Sequence, residues 1–408
     1  MKSIAEAHRE MLPHFEVLPP VRTPLLSALG QVLAEDLLAA GALPLFDNSA
    51  LDGYAVRHDE VSEGQQLPIV GEARAGGTPP PALRAGTTMR IFTGAPLPEG
   101  ADTVVMQENA ELDGERVRFS SVGERGRHVR PRGHDQRVGE VAVAAGAELG
   151  PSELALLAVH GHHTLSVHRA PRVAILSTGD ELRDIGQATE PGTIVNSNAY
   201  ALAAQVVQVG GVPWVLPPAR DRVEEIAERV AAALEADVVI SIGGVSVGEY
   251  DFVGQALARA GVSAHFHKVA IKPGKPILFG SAVDGTPVVG LPGNPVSAMV
   301  TFELFVRPGL LRMRGFRAPY PAPIPVVLDA AHRHSTGRTE LARVRLEQRE
   351  GQTFAAPHPL QGSGALPSMV GVDALLVLPG DREYFERGEI LHAIPLGPGG
   401  RQAEPPIP

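Results

Sequence analysis

The chain contains no cysteine. That absence removes disulfide staples, thiolate metal ligands and a cysteine nucleophile, and it is compatible with a reducing compartment. Aromatic residues are scarce, at 4% with a single tryptophan, which argues against a single-stranded nucleic-acid binder, because such proteins need stacking platforms. Positive charge is not in excess either. Lys and Arg number 36 against 46 Asp and Glu, a formal net charge of −10, so the surface as a whole does not track phosphates. No run of about 18 apolar residues occurs, and MKSIAEAHREML has the spacing of an amphipathic helix rather than of a leader peptide. The chain reads as a cytoplasmic protein without nucleic-acid or membrane partners. A small anionic ligand stays open if cations gather locally.

Glycine and proline are abundant, 45 and 37 in 408 residues, which indicates many tight turns and short elements. The length corresponds to roughly two to four domains. Ser3 to Met11 and Leu25 to Ala40 show helical spacing of apolar residues, and Pro151 to Val159 returns to it. These segments predict a mainly helical layer made of residues 1–46 and 138–170. Between them, residues 47–137 carry short β-like runs (Leu67 to Val70, Thr88 to Phe92, Thr103 to Gln107, Arg116 to Phe119) separated by Gly and Pro, the punctuation of an inserted β domain.

Residues 171–316 alternate apolar runs with amphipathic patterns. Val173 to Leu176, Trp214 to Leu216, Val238 to Ile240, Ile277 to Phe279 and Val288 to Leu291 read as strands. Tyr200 to Val209, Val223 to Leu234, Phe252 to Ala260 and Val296 to Phe305 read as helices. Continuous apolar strands between helices predict a doubly wound α/β domain with a parallel sheet covered on both faces. Residues 317–408 open on a Pro-rich linker and continue with strand-like runs (Val326 to Asp329, Glu340 to Leu346, Ala374 to Leu378), which predicts a small β domain.

Ligands of such sheets sit at the carboxyl ends of the strands. Three polar segments fall there: Ser177 to Glu181, Ser241 to Asp251, and Pro292 to Pro295. The glycines of the second present backbone N–H groups to an anion. The stretch HFHKVAIKPGKP then places Lys268, Lys272 and Lys275 close together, and HVRPRGHD adds Arg130 and Arg132. Lysines act on phosphates as point charges, whereas Arg makes planar bidentate contacts. Opposing these cations are Asp52, Asp135, Asp180, Glu181, Asp221 and Asp251. Carboxylates tolerate phosphates when a cation lies between them, so the pattern implies a Mg²⁺-assisted phosphoanhydride site. The cluster HGHHTLSVH, with His160, His162, His163 and His168, lacks a familiar zinc spacing and reads as structural.

In order along the chain, DNSALDGYAVR (47–57), RIFTGAPLPEGADTVVMQE (90–108), VRPRGHD (129–135), PRVAILSTGDEL (171–182), SIGGVSVGEYDF (241–252), KVAIKPGKP (268–276), GLPGNPVSA (290–298) and GRTELARVRL (337–346) resemble the molybdopterin molybdotransferase family, the bacterial MoeA proteins and the E domain of gephyrin. The resemblance runs nearly end to end. It implies a helical N-terminal layer, a β-rich insertion, an α/β domain of molybdopterin-binding type and a small C-terminal β-barrel-like domain, assembled as an elongated homodimer. The implied activity is molybdenum insertion from molybdate into adenylylated molybdopterin, with release of AMP and Mg²⁺ as cofactor. The adenylyltransferase of the preceding step and downstream cofactor-processing proteins would be partners.

Carried onto this chain, the family's site implies Asp52, Thr93, Asp135, Glu181, Asp221 and Asp251 as catalytic residues, with Glu181 and Asp251 on the metal. Substrate would meet Arg130, Gly243, Gly244, Ser246, Gly248, Lys268, Lys272, Lys275, Pro292, Pro295, Arg338 and Ser368. The DNSALDGYA loop would line the active-site cleft opposite the α/β domain of the partner subunit. Two alternatives stand beside this reading: an interaction scaffold like the gephyrin E domain, or another nucleotide-binding enzyme on the same α/β domain.

Overall fold

The computed structural model describes residues 1–244, 252–397 and 400–407. Its centre is a six-stranded sheet in the order Val212–Val215, Arg172–Ser177, Val238–Ile242, Pro287–Leu291, Leu278–Ser281, Ser263–Phe266. The first four strands are parallel. Leu278–Ser281 runs antiparallel to both of its neighbours, which corrects the expectation of a fully parallel sheet. Residues 282–286 are too short a connection for a parallel crossover, so the chain turns back as a hairpin.

Successive residues of a strand point to opposite faces, and the two cores follow that rule. Val173, Ile175, Val238 and Ile240 pack with the helices Ser197–Gln208 and Pro295–Thr301. Ala174, Leu176 and Val239 pack on the other face with Val223–Ala233 and Phe252–Arg259. The helix Pro295–Thr301 runs on through a π-helical turn, Phe302–Val306, into Arg307–Met313.

The Ile4–Met11 helix starts on a capping box between Ser3 and Glu6. Its buried residues Ile4, Ala7 and Met11, with Phe15 beyond, join the core of the α/β domain. The second predicted helix, Leu25 to Ala40, is not one. Only Leu25–Ala28 forms a 3-10 turn, and Leu37–Leu38 is a strand paired with Val141–Val143. Gly30 interrupts the pattern with φ +71 and donates its N–H to Leu149, so Val32 and Leu33 are buried through bridges to Glu148 and Val167. The strand Pro20–Pro24 pairs with Thr164–His168, so the layer mixes the helices Ile4–Met11 and Pro151–Val159 with short ribbons.

The insertion holds a six-stranded sheet in the order Thr103–Met106, Gly53–Val56, Thr88–Ile91, Gln66–Ala73, Arg116–Phe119, Ala110–Asp113. Its entry and exit lie side by side, with Leu43 and Gln136 exchanging both backbone hydrogen bonds at 2.7 and 3.0 Å. In the C-terminal part, Thr339–Arg349, Gln352–Pro357, Ile324–Leu328, Ile390–Pro395 and Ala374–Leu378 pair in sequence, and the last returns to the first. The result is a closed five-stranded barrel. Ile271–Lys272, from the lysine segment, docks beside Thr339 and Glu340 at its rim. Among the described residues no helix is long and apolar enough to cross a membrane.

Candidate active site

The carboxyl ends of the central strands are laced to one another. Thr178 N–H donates to Ile242, Gly179 N–H to Ala219, and Gly243 N–H to Leu291, at 3.0, 3.1 and 3.0 Å. Beside them opens a cleft of about 800 Å³ whose walls include Thr178, Glu181, Asp221, Gly243, Gly244 and Asn294. Gly243 and Gly244 have φ +90 and +63, and a Cβ would sit 2.9 Å from the Thr178 carbonyl at the first and collide with Val253 at the second. Side chains are therefore excluded, and a ligand can approach bare backbone.

Negative charge accumulates on one wall. Burial pushes the Asp221 carboxyl above its ordinary value, and the charges of Asp180 and Glu181 push it further. The Asp221 N–H donates to Asp180 Oδ1 at 3.4 Å. The Glu181 carboxylate folds over Gly179, where a Cβ would clash with it.

Pro276, Pro292 and Pro295 complete the apolar rim, and the C-terminal part adds Gly364 and Leu366. That loop is held from inside by Arg343, which donates to the carbonyls of Leu360 and Gly362 at 3.0 and 3.2 Å and to Ser368 Oγ at 3.2 Å. Ser368 is fully buried and donates to Ala365 O at 2.6 Å. In this arrangement it braces the loop from within. Lys272 is turned toward the barrel. It is absent from the cleft lining and forms an ion pair with Glu340 at 3.1 Å. Lys275 is exposed one residue before Pro276, and Lys268 is tied through its carbonyl to the Lys2 N–H. Arg338 packs its backbone against Gly380 and stands outside the lining. Ser246, Gly248 and Asp251 lie outside the described residues.

A second group gathers on the insertion. Asp52 Oδ1 accepts from the Thr93 N–H and hydroxyl, both at 2.8 Å, and these bonds, the backbone one foremost, hold the exposed carboxylate below its ordinary range. Asn48–Ser49 pairs with Val129–Arg130, and Asp47 Oδ1 accepts from the Arg132 N–H at 2.7 Å. The loops around Asp52, Thr93 and Arg130 are thus stitched into one surface, with Asp135 at its base through a backbone bond to Leu43. None of these four residues lines the α/β cleft of the same chain.

Sequence reasoning passed over the asparagines. Asn196 Oδ1 accepts from the buried Ser177 hydroxyl at 2.9 Å, and Asn198 Nδ2 donates to Gly293 O at 2.6 Å. Both line the cleft with Asn294. The run Asn196-Ser197-Asn198 at the start of the Ser197–Gln208 helix was the available signal, since Asn and Ser favour helix starts. The four clustered histidines have separate partners: Gln136 for His160, Leu38 for His162, Gly161 for His163 and Leu18 for His168.

A glycine-floored cleft at the strand ends of an α/β domain, flanked by a β insertion and a closed barrel, is the architecture of a multidomain α/β enzyme. Residues 2–161 match the MoeA N-terminal region (domain I and II), residues 174–312 the probable molybdopterin binding domain, and residues 325–396 the MoeA C-terminal region (domain IV). A molybdopterin molybdenumtransferase of Nostoc sp. is 37% identical over 385 residues, covering 90% of this chain and 86% of that one. Molybdopterin molybdenumtransferase 2 of Mycobacterium tuberculosis is 36% identical over 394 residues, covering 93% and 96%. The crystal structure of a molybdopterin biosynthesis MoeA protein from Pyrococcus horikoshii superposes with a TM-score of 0.83 at 28% identity, covering 97% of this chain and all of that one. The chain belongs to the molybdopterin molybdenumtransferase family, transferases of molybdenum cofactor biosynthesis.

Proposed function

We propose that this chain transfers molybdenum from molybdate into adenylylated molybdopterin and releases AMP. The observation that carries the reading is the glycine floor of the cleft set against its carboxylate wall. Backbone at Gly243 and Gly244 takes the phosphates, Asn198 and Asn294 fix the orientation, and Lys275 approaches from the Pro276 rim. Glu181 and Asp221 then face the phosphoanhydride.

Burial foremost, and then the charges of Asp180 and Glu181, raise the Asp221 carboxyl; such a partly buried carboxylate group fits a bound divalent cation, and an all-oxygen donor set suits Mg²⁺. Among the described residues no three His, Asp or Glu side chains form a metal cage by themselves; substrate oxygens would complete the set, with Asp251 as the further carboxylate that the sequence assigns to the metal. Mg²⁺ would supply charge neutralisation and orientation of the phosphates.

Arg130 and Lys268 would hold molybdate. Because the Asp52 and Arg130 surface belongs to the insertion and not to the cleft wall, the complete site takes that surface from a second copy. A homodimer is supported by Leu26, Leu29, Leu38, Leu45 and Phe46, which the N-terminal layer leaves exposed.

The test is single-turnover AMP release by the isolated protein with molybdate and Mg²⁺, comparing wild type with Asp251→Asn. The variant should lose rate by orders of magnitude and need more Mg²⁺. Normal turnover with tighter, Mg²⁺-free substrate binding would refute the metal site, and absence of AMP release from the wild type would refute the reaction.

A further inference from the structure

Ile271–Lys272 runs parallel to the start of Thr339–Arg349, with Lys272 opposite Glu340. The Glu340 side chain is 3% exposed and that of Lys272 36%. The oxygen that meets Lys272 also lies 3.3 Å from Nδ1 of His334 and 3.7 Å from Nε2 of His332. Burial pushes the Glu340 carboxyl up, but His332 and Lys272 outweigh burial and hold it below its ordinary value, so it is ionised. One further cation, Arg343, feels the Glu340 charge. Its Nε donates to Ser368 and its Nη2 to Leu360 and Gly362.

His334 cannot satisfy both of its neighbours while neutral. Its Nε2 is 2.8 Å from the Arg382 carbonyl oxygen, which only accepts, so Nε2 carries the hydrogen. A neutral ring then turns a lone pair from Nδ1 toward a carboxylate oxygen, a contact in which neither side donates. Consistent with this, His334 Nδ1 and His332 Nε2 are buried without a hydrogen-bond partner. A second proton converts the His334 contact into a charge-assisted hydrogen bond.

We propose that His334 and His332 act as a proton-operated counter-charge for Glu340, setting whether Lys272 stays tied to the barrel or is released to an anionic substrate. The proposal rests on the expectation from the sequence that Lys272, paired with Glu340 in this arrangement, serves the substrate's phosphates once released. With both rings neutral, the Lys272 ammonium carries the pairing of Glu340, and a phosphate must compete for it. With His334 protonated, Glu340 is matched from the barrel side, and the half-exposed lysine stem can swing away. Anion affinity therefore rises as the rings take up protons, that is, as pH falls.

Two measurements separate this device from the reading beneath it. Histidine NMR titration of the full ligand-free chain, with His332→Gln and His334→Gln assigning the signals, reads the coupling directly. Lys272→Gln should raise the His334 midpoint and Glu340→Gln should lower it. Midpoints unmoved in both variants overturn the proposal.

KM for adenylylated molybdopterin against pH reads the consequence. In wild type it should rise roughly tenfold with pH, the scale of one charged hydrogen bond, at unchanged kcat. Glu340→Gln should flatten the profile at the low value and His334→Gln at the high value, opposite signs that a general loss of structure cannot produce. Coupled midpoints with wild-type KM profiles in both variants refute the gate. If Lys272→Gln leaves KM unchanged while the midpoints couple, the phosphate role of Lys272 fails, and the gate fails with it.

Discussion

Asp221→Asn should make the ligand-free protein more stable and less active. Burial first, and then the charges of Asp180 and Glu181, raise the Asp221 carboxyl, a cost of folding at neutral pH of which Asn removes the repulsive part. Partly exposed charge pairs are worth about 0.2 to 1 kcal/mol each. Relieving two repulsions therefore brings the gain to about 1 kcal/mol, or roughly 3 °C in the melting temperature of a domain of this size. The sign follows from linkage. A carboxyl whose folded-state value lies above the unfolded one costs stability when ionised in both states, and the cost fades as pH falls toward the ordinary value of 3.8. Calorimetric melts should thus show the gain at pH 7 to 8 and none in acid, while AMP release is lost. Added Mg²⁺ should stabilise the wild type more than the variant. A variant that melts lower than wild type at neutral pH, or whose advantage grows in acid, would refute the argument.

Two further substitutions probe the frame around the site. Asp237 accepts from Arg169 at 2.6 and 2.5 Å and from the Arg172 N–H at 2.8 Å; burial raises its carboxyl, and these donors outweigh burial to hold it below 3.8. Asp237→Asn should cost about 1.5 to 3 kcal/mol at neutral pH. The loss should be present above 3.8 and vanish as pH falls through the depressed folded-state value, and a pH-independent difference in urea unfolding would exclude the ion pair as its source. Gly309→Ala would drive a Cβ into the Phe15 ring, costing about 1 to 3 kcal/mol by overpacking. An unchanged melting temperature would show that the Phe15 segment yields freely.

The α/β core was legible because Val173 to Leu176 and Val238 to Ile240 are continuous apolar runs, which only strands covered on both faces require. The glycines at 243 and 244 were equally readable, since a positive φ leaves a compositional trace. Leu25 to Ala40 misled because leucines spaced for a helix were used instead by ribbons, with Gly30 as the break. The return of Leu278–Ser281 and Pro287–Leu291 as a hairpin depends on connection length, which periodicity does not weigh. At the site, burial was invisible: Ser368 and Lys272 have the chemistry of ligand contacts, yet one is enclosed with Arg343 and the other is matched to Glu340. Partner choice among polar groups is a tertiary property.

The early helix Ile4–Met11 has a consequence for synthesis. His8 bonds the Leu304 carbonyl across 296 positions of chain, and Met11 and Phe15 are covered by Phe279, Phe302 and Leu310. At about 5 to 20 residues per second, a ribosome needs roughly 15 to 60 s to deliver that cover. Throughout that interval the helix lacks the part of its cover that Phe302, Leu304 and Leu310 supply, and a chaperone that grips short amphipathic segments would find that part of its face open. Ribosome-bound chains stalled before residue 300 should therefore be cleaved by protease near Phe15, and chains stalled well past residue 320 should resist.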